Sequence, residues 1–481
     1  MTVLHTPPAS PDLDESTAHL RIAESVTSRE SSLTQLSTFF DWFTPLRDRS
    51  FTDVDRVPLD DMQGWLTDPD TGNLRHSSGR FYSVHGLDIQ SPEGPVPRWS
   101  QPIIDQPEVG ILGILVKKFD GVLHCLMQAK VEPGNCNGLQ LSPTVQATRS
   151  NYTGVHRGRP VPYLEYFRDL TGHTILADVR QSEQGSWFYQ KRNRNMVIEV
   201  TDEVETLDEF CWLTIGQVHE LLALDDIINM DSRTVLACLP FDGAEPLATP
   251  PGDDFRAALL RSFRAGHGAR HTTRQILAWL TDVRTRTEVL TRPVPLRDLP
   301  GWQRDPAAIA HESGRFFEVI GVHVKAGGRE VAEWSQPMIR PQGVGVAAFL
   351  VTRIDGVLHA LVRAIAQPGY KDVAELAPTV QCVPGNYDVL PEAARPRFLD
   401  AVLDATPERI RYDVTLSEEG GRFYHARNRY MVVEVDDDPR FDHPDFRWMP
   451  MHQLAGLLRH SYYVNVEARS LVACLHSLSG A

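Results

Sequence analysis

The sequence predicts an α+β protein built as two tandem copies of one domain, each with a mixed or antiparallel sheet and flanking helices. Three observations carry this. Trp99-Ser-Gln-Pro102 returns as Trp334-Ser-Gln-Pro337, and the same offset relates His76, Gly79, Arg80 and Phe81 to His311, Gly314, Arg315 and Phe316. Asp120–His124 reappears letter for letter as Asp355–His359, and Arg192-Asn-Arg194 as Arg427-Asn-Arg429. A repeat this long is a whole domain and not a solenoid unit. Within each copy, short strand-like runs broken by Gly and Pro outnumber segments of helical period, the mark of an α+β layer.

In chain order, residues 1–30 carry Thr, Pro, Ser and Asp without an apolar core and are expected to be a flexible tail. The first repeat spans 31–240 and opens with a helix around Trp42. Strands follow at Val109 to Lys117, Val122 to Val131 and Met196 to Val200, with a late helix at Gln217 to Leu224. Residues 241–273, with Pro246, Pro250, Pro251 and Gly252, read as a linker in which Asp254 to Phe263 forms one short helix. The second repeat, 274–481, opens with apolar Ile276, Leu277, Trp279 and Leu280 at helical spacing.

Composition narrows the function. A net charge of −15 and a pI near 5.6 argue against a nucleic-acid surface, which needs a basic field. No stretch approaches the ~20 apolar residues of a membrane span, so a cytoplasmic protein is expected. Six cysteines without a CxxC pair point to neither disulfide nor zinc. His76 and His311 have no ligand partner at metal spacing, and no metal is expected. Nucleotide-hydrolysing and nicotinamide motifs are missing too, so no cofactor is expected.

Chemistry first shows on the strand from Val122. Alternation puts His124, Leu126, Gln128, Lys130 and Glu132 on one face and Leu123, Cys125, Met127, Ala129 and Val131 on the other. In the second copy, Ile365 and Gln367 replace Lys130 and Glu132, so the first copy keeps more acid/base equipment. The ribbon from Leu141 to Tyr152 packs Thr144, Gln146, Arg149 and Asn151 together, a density of donors and acceptors suited to sugar hydroxyls and a pyrimidine edge. Arg192 and Arg194, flanking Asn193, could clamp a diphosphate. Trp99 could stack on a base. Each feature has a plainer reading: a solvated strand face, a polar loop, structural ion pairs, a core tryptophan.

The strings LQLSPTVQATRSNYT at Leu139–Thr153 and SEQGSWFYQKRNRNMVIEV at Ser182–Val200, together with the duplication, resemble the NDP-hexose 2,3-dehydratases. The resemblance implies a dTDP-4-keto-6-deoxy-hexose as substrate, two Nudix-like halves without the hydrolytic box, a homodimer, and a reductase that takes the unstable product. Such a substrate needs a base for the C3 proton, an acid for the C2 hydroxyl and donors for the C4 oxyanion. Lys130, Glu132, Tyr152 and Glu183 are the candidates for proton transfer, with His124 in reserve. Trp99, Gln101, His124, Thr144, Gln146, Arg149, Asn151, Tyr189, Arg192, Asn193 and Arg194 are the candidates for binding. A non-catalytic nucleotide-sugar binding protein and a metal-dependent nucleotide-sugar hydrolase are the competing classes.

Overall fold

A computed structural model describes residues 17–50, 52–149, 160–241, 254–266, 268–327, 331–436, 438 and 441–480. Each copy is centred on a seven-stranded mixed sheet. In the first, Gly110–Phe119 and Val122–Val131 form a hairpin whose turn, Asp120 and Gly121, has φ of 49° and 92°. Positive φ at both central residues matches the twist of the flanking strands and explains the Asp-Gly pair, repeated at Asp355 and Gly356. Arg192–Val200 runs parallel to Gly110–Phe119, while every other pairing in the sheet is antiparallel. The second copy repeats the arrangement around Gly345–Ile354, Val357–Ala366 and Arg427–Glu434.

The expected alternation holds on the strand Val122–Val131. Leu123, Cys125, Met127, Ala129 and Val131 enter one large apolar core that also contains Ala347, Phe349 and Leu358 of the second copy's sheet and the helices of both copies. That shared helical layer lies against the inner faces of both large sheets. The outer faces have separate clusters, one around Leu126, Phe167 and Trp212 and one around Leu361, Leu399 and Trp448.

The halves are also laced together by exchanged strands. Thr52–Val57 of the first copy pairs antiparallel with Phe317–Ala326 of the second, and Leu290–Val294 of the second pairs with Ser83–Gln90 of the first. The Trp-Ser-Gln-Pro repeats sit at this seam. Trp65 Nε1 donates to Ser335 O and Trp302 Nε1 to Ser100 O, both at 2.7 Å. Each small sheet therefore carries a strand from the opposite repeat.

Two sequence expectations change. Residues 17–30 do not continue the tail: Ala18–Thr27 is a helix with Ile22, Ala23 and Val26 buried, tied to the sheet by Arg21 to Glu199 at 2.6 Å. Its counterpart is Asp254–Phe263, the short helix expected inside the linker. Ser25 Oγ donates to Leu123 O and accepts from Ile215 N, and Ser262 Oγ does the same with Leu358 O and Met451 N. This helix is thus the first element of each repeat, hidden because few of its letters match. A closing helix, Met230–Leu236 and its partner Val466–Gly480, was also not anticipated. It is buried nearly all round, so it has no polar stripe to give a helical period.

Candidate active site

The backbone of the two copies crosses at two glycines. Gly134 N donates to Gly420 O and His425 N donates to Gly134 O, at 2.7 and 2.8 Å. Gly369 N to Gly185 O and Gln190 N to Gly369 O repeat the crossing at 2.7 Å each. A Cβ at Gly134 would collide with Phe423 O and one at Gly369 with Phe188 O, so only glycine permits the approach. Each crossing lays a loop of one copy over the central strand of the other. Two pseudo-equivalent sites result, each made by both halves.

In the first, Glu132 follows the strand Val122–Val131 and faces the second copy's Glu419-Gly-Gly-Arg422. A relay holds it in place. The backbone N–H of Ser232 donates to Asn229 Oδ1, Asn229 Nδ2 to Gln146 Oε1 and Gln146 Nε2 to Glu132 Oε1, at 2.8, 3.2 and 2.7 Å. Lys130 Nζ donates to Gln146 O at 3.1 Å. Glu183 accepts from Asn193 Nδ2 at 2.8 Å, and Asn193 Oδ1 in turn accepts from Gly110 N.

Burial sets the electrostatics of this group. Asp231 is held well above the ordinary carboxylate range, first by desolvation and then by the charges of Glu183, Glu132 and Glu419. Glu183 is also pushed up by burial, against the pull of Arg469 and Lys191. Burial lowers Lys191 to about 8, and it raises Glu419 to about 8 against the opposing Arg422. Groups with such displaced affinities can give or take a proton near neutral pH. A cavity of about 400 Å³ opens at Glu132, with Asn135, Arg47, Tyr424 and His425 among its walls.

The mirror site has the same skeleton and different chemistry. Ala468 N to Asn465 Oδ1 and Asn465 Nδ2 to Gln381 Oε1 repeat the relay. Yet Gln367, Ile365, Ala426 and Gln184 replace Glu132, Lys130, Lys191 and Glu419, and Tyr370, Tyr430 and Trp187 fill the places of Asn135, Asn195 and Arg422. Tyr370 and Tyr430 are buried. Tyr430 OH donates to Glu418 and Tyr370 OH accepts from Asn465. Aromatic rings, aliphatic side chains and neutral amides thus replace the lysines, Arg422, Glu132 and Glu419 of the first site, while the carboxyls Glu418 and Glu467 remain at the places of Glu183 and Asp231.

A family model for NDP-hexose 2,3-dehydratase matches residues 36–239 and again 273–475, once for each copy. The chain belongs to the NDP-hexose 2,3-dehydratase family. It is 50% identical over 461 residues to a dTDP-4-dehydro-6-deoxy-alpha-D-glucopyranose 2,3-dehydratase of Saccharopolyspora spinosa, covering 95% of each chain. It is 48% identical to proteins of the same description from Amycolatopsis orientalis, covering 91% of this chain and 89% of the relative, and Streptomyces violaceoruber, covering 93% and 98%.

In this NDP-hexose 2,3-dehydratase the sequence-derived candidates separate into groups. Lys130, Glu132, Gln146, Glu183 and Asn193 come together. His124 does not join them: it is buried with Nδ1 on Val122 O and Nε2 on Ser31 Oγ. Thr144 is buried as a pin, accepting from Leu115 N and donating to Leu126 O, and Thr379 copies it. Trp99 Nε1 donates to Gln101 Oε1, and Gln101 Nε2 donates to Ser186 O at 2.6 Å, which fastens the loop after Glu183. Tyr189 packs against the cluster of Leu87, Ile89 and Ile103.

The two arginines of the dehydratase differ. Arg194 is forked onto Asp178 at 2.7 and 2.6 Å, whereas Arg192 reaches only Gln190 O, at 3.4 Å, and its buried Nε has no partner among the described residues. Arg149 is exposed; Asn151 and Tyr152 lie outside the described residues. Asp231, Lys191, Asn229, Glu419 and Arg422 were not singled out from the sequence. The differences Lys191/Ala426 and Gln184/Glu419 between the copies were the available signal. Among the described residues, no three His, Cys, Asp or Glu side chains converge to hold a metal, and no helix is long and apolar enough to cross a membrane.

Proposed function

We propose that the first-copy cluster at the junction is where this dehydratase removes the C2 hydroxyl of a dTDP-4-keto-6-deoxy-hexose to leave a 3,4-diketo-2,6-dideoxy sugar. The observation that carries the placement is the asymmetry between the two sites: the first holds Lys130, Lys191, Glu132 and Glu419 and borders a cavity at Glu132, whereas the second has Ile365, Ala426, Gln367 and Gln184 at those positions and retains the buried carboxyls Glu418, Glu467 and Glu375. Glu132, aimed by the Gln146 relay, takes the C3 proton that the neighbouring C4 ketone acidifies. The Lys130 ammonium lies beside it and stabilises the C4 oxyanion of the enolate. Glu183 belongs to the proton-transfer set, and Tyr152 stays in it on its sequence position alone. Arg192 is assigned the diphosphate and the adjacent Asn193 holds Glu183, while Gln101, Thr144 and Tyr189 belong to the scaffold.

Three further expectations rest on the family resemblance: a Nudix-like ancestry for each half, a homodimer in the cytoplasm, and a reductase consuming the product. A vicinal diketone is chemically unstable, which supports the last of these.

The test is incubation with dTDP-4-keto-6-deoxyglucose and trapping of the product for mass analysis. Loss of one water with the nucleotide attached is expected from the wild-type chain. Lys130→Ala and Glu132→Gln should lose that product and Arg363→Ala should retain it. The opposite pattern would place the reaction in the second copy.

A further inference from the structure

Glu419 belongs to the second repeat, yet the Gly134–Gly420 crossing delivers it to the first copy's site. A methyl group placed on Gly421 would lie 2.5 Å from Glu419 Oε1 and 3.7 Å from Glu132 Oε1, so the two carboxyls flank one point from opposite halves. Asp231 and Glu183 are nearly sealed, each 3% exposed, whereas Glu419 keeps part of its surface open although its Oε2 is buried; that oxygen, like Glu183 Oε2 and Asp231 Oδ1, has no hydrogen-bond partner among the described residues. In the mirror site the same position is Gln184, whose Nε2 donates to Glu418 Oε2 and Met230 Sδ while its Oε1 has no partner among the described residues. The carboxyl is therefore special to the ionisable site, and the repeat skeleton does not require it.

We propose that Glu419 is the acid that protonates the departing C2 hydroxyl, so that base and acid come from different repeats. This rests on the placement of the reaction at Glu132. The steps balance without an added reagent. Glu132 takes the C3 proton and the electron pair forms the enolate with the C4 oxygen. The enolate then closes a C2–C3 double bond, the C2–O bond breaks with its electrons on oxygen, and Glu419 supplies the proton that makes it water. The remaining C3 enol returns its hydroxyl proton to Glu419 while Glu132 delivers its proton to C2, giving the 3-ketone and restoring both carboxyls. Burial favours the protonated form of Glu419 near neutral pH, as an acid in this position needs.

The experiment compares two substrates, the natural 4-keto sugar and its 2-deoxy-2-fluoro analogue, whose fluoride leaves without being protonated. Glu419→Gln should slow water loss by about 10²- to 10⁴-fold, keep fluoride release within about threefold of wild type, and keep exchange of the C3 hydrogen in deuterated buffer. Unchanged water loss, or equal slowing of both substrates in a variant with a wild-type melting temperature, overturns the assignment. If Glu419→Gln does not fold, Glu419→Ala with added formate is read instead: recovered water loss supports the role and none overturns it. Glu132→Gln separates the two ideas. If it still releases fluoride, the first-copy placement fails. If it does not, and Glu419→Gln loses water normally, only the role of Glu419 falls.

Discussion

Gly134 N donates to Gly420 O across the seam between the repeats, and this bond brings a loop of the second copy onto the ionisable strand of the first. A Cβ at Gly134 has no room, because backbone atoms of Phe423 and Gly420 face it and backbone cannot swing aside. Gly134→Ala is expected to cost about 4 kcal/mol or more, the scale of changes that break a packed backbone contact. Gly456 is the contrast. It lies exposed in the helix Met451–Leu458 with nothing near its missing Cβ, so Gly456→Ala should gain about 0.5–1 kcal/mol. Denaturant melts of both variants check the pair, and equal effects would refute the crossing.

The duplication, the Asp-Gly hairpin and the span Val122–Val131 were legible because each has a local signature: an offset, a turn dipeptide, a period of two. The closing helix was not. Met230–Leu236 buries Asp231, Ser232, Arg233 and Thr234 together with its apolar residues, so no stripe survives in the sequence. Lys130, Glu132 and Glu183 stood out by residue type, but Glu419 could not, since nothing local says that a glycine-paired loop of one copy lies over the strand of the other. Arg194 misled for a related reason. A guanidinium in a strand reads as a free clamp until its cross-strand partner Asp178 is seen.

The strand exchange predicts that the halves do not separate. Leu59, Met62, Trp65 and Leu74 of the first copy share one apolar cluster with Leu296, Leu299, Trp302 and Phe317 of the second. A chain cut between Thr249 and Pro250 would expose that cluster and two unpaired strand edges, which favours aggregation. Each half expressed alone should be insoluble, and the two co-expressed should assemble and recover turnover. A soluble, folded first half would contradict the exchanged strands.

Buried carboxyls in the second copy predict a pH dependence of stability. Burial raises Glu467 to about 8 and Glu375 to about 7 from an ordinary 4.5. Between the ordinary value and the raised one, the folded chain holds protons that the unfolded chain has released, so stability falls as pH rises through that window. Glu467→Gln stays neutral throughout. It should melt a few degrees above wild type at pH 9 and close to wild type at pH 5, a slope that calorimetry reads directly. A wild-type melting temperature that climbs from pH 5 to pH 8 would show that these groups do not dominate.

The two arginines of the repeated Arg-Asn-Arg string should behave differently under mutation. Arg194 is committed to Asp178 through both Nε and Nη2, a pair duplicated at Arg429 and Asp413, so its charge is already satisfied at the sheet surface. Arg194→Ala should leave KM and kcat near wild type and cost under about 1 kcal/mol of stability, as exposed pairs do. Among the described residues Arg192 has only a long bond to Gln190 O, and it adjoins Asn193, whose amide holds Glu183. Its guanidinium can therefore turn to an incoming diphosphate. A charge-assisted contact of about 1.5–3 kcal/mol corresponds to a KM raised about 10- to 100-fold in Arg192→Ala with kcat little changed, because the diphosphate is bound alike in ground and transition states. Steady-state kinetics of the two variants decide it: an unchanged KM for Arg192→Ala removes the clamp, and a raised KM for Arg194→Ala moves it two residues along the strand.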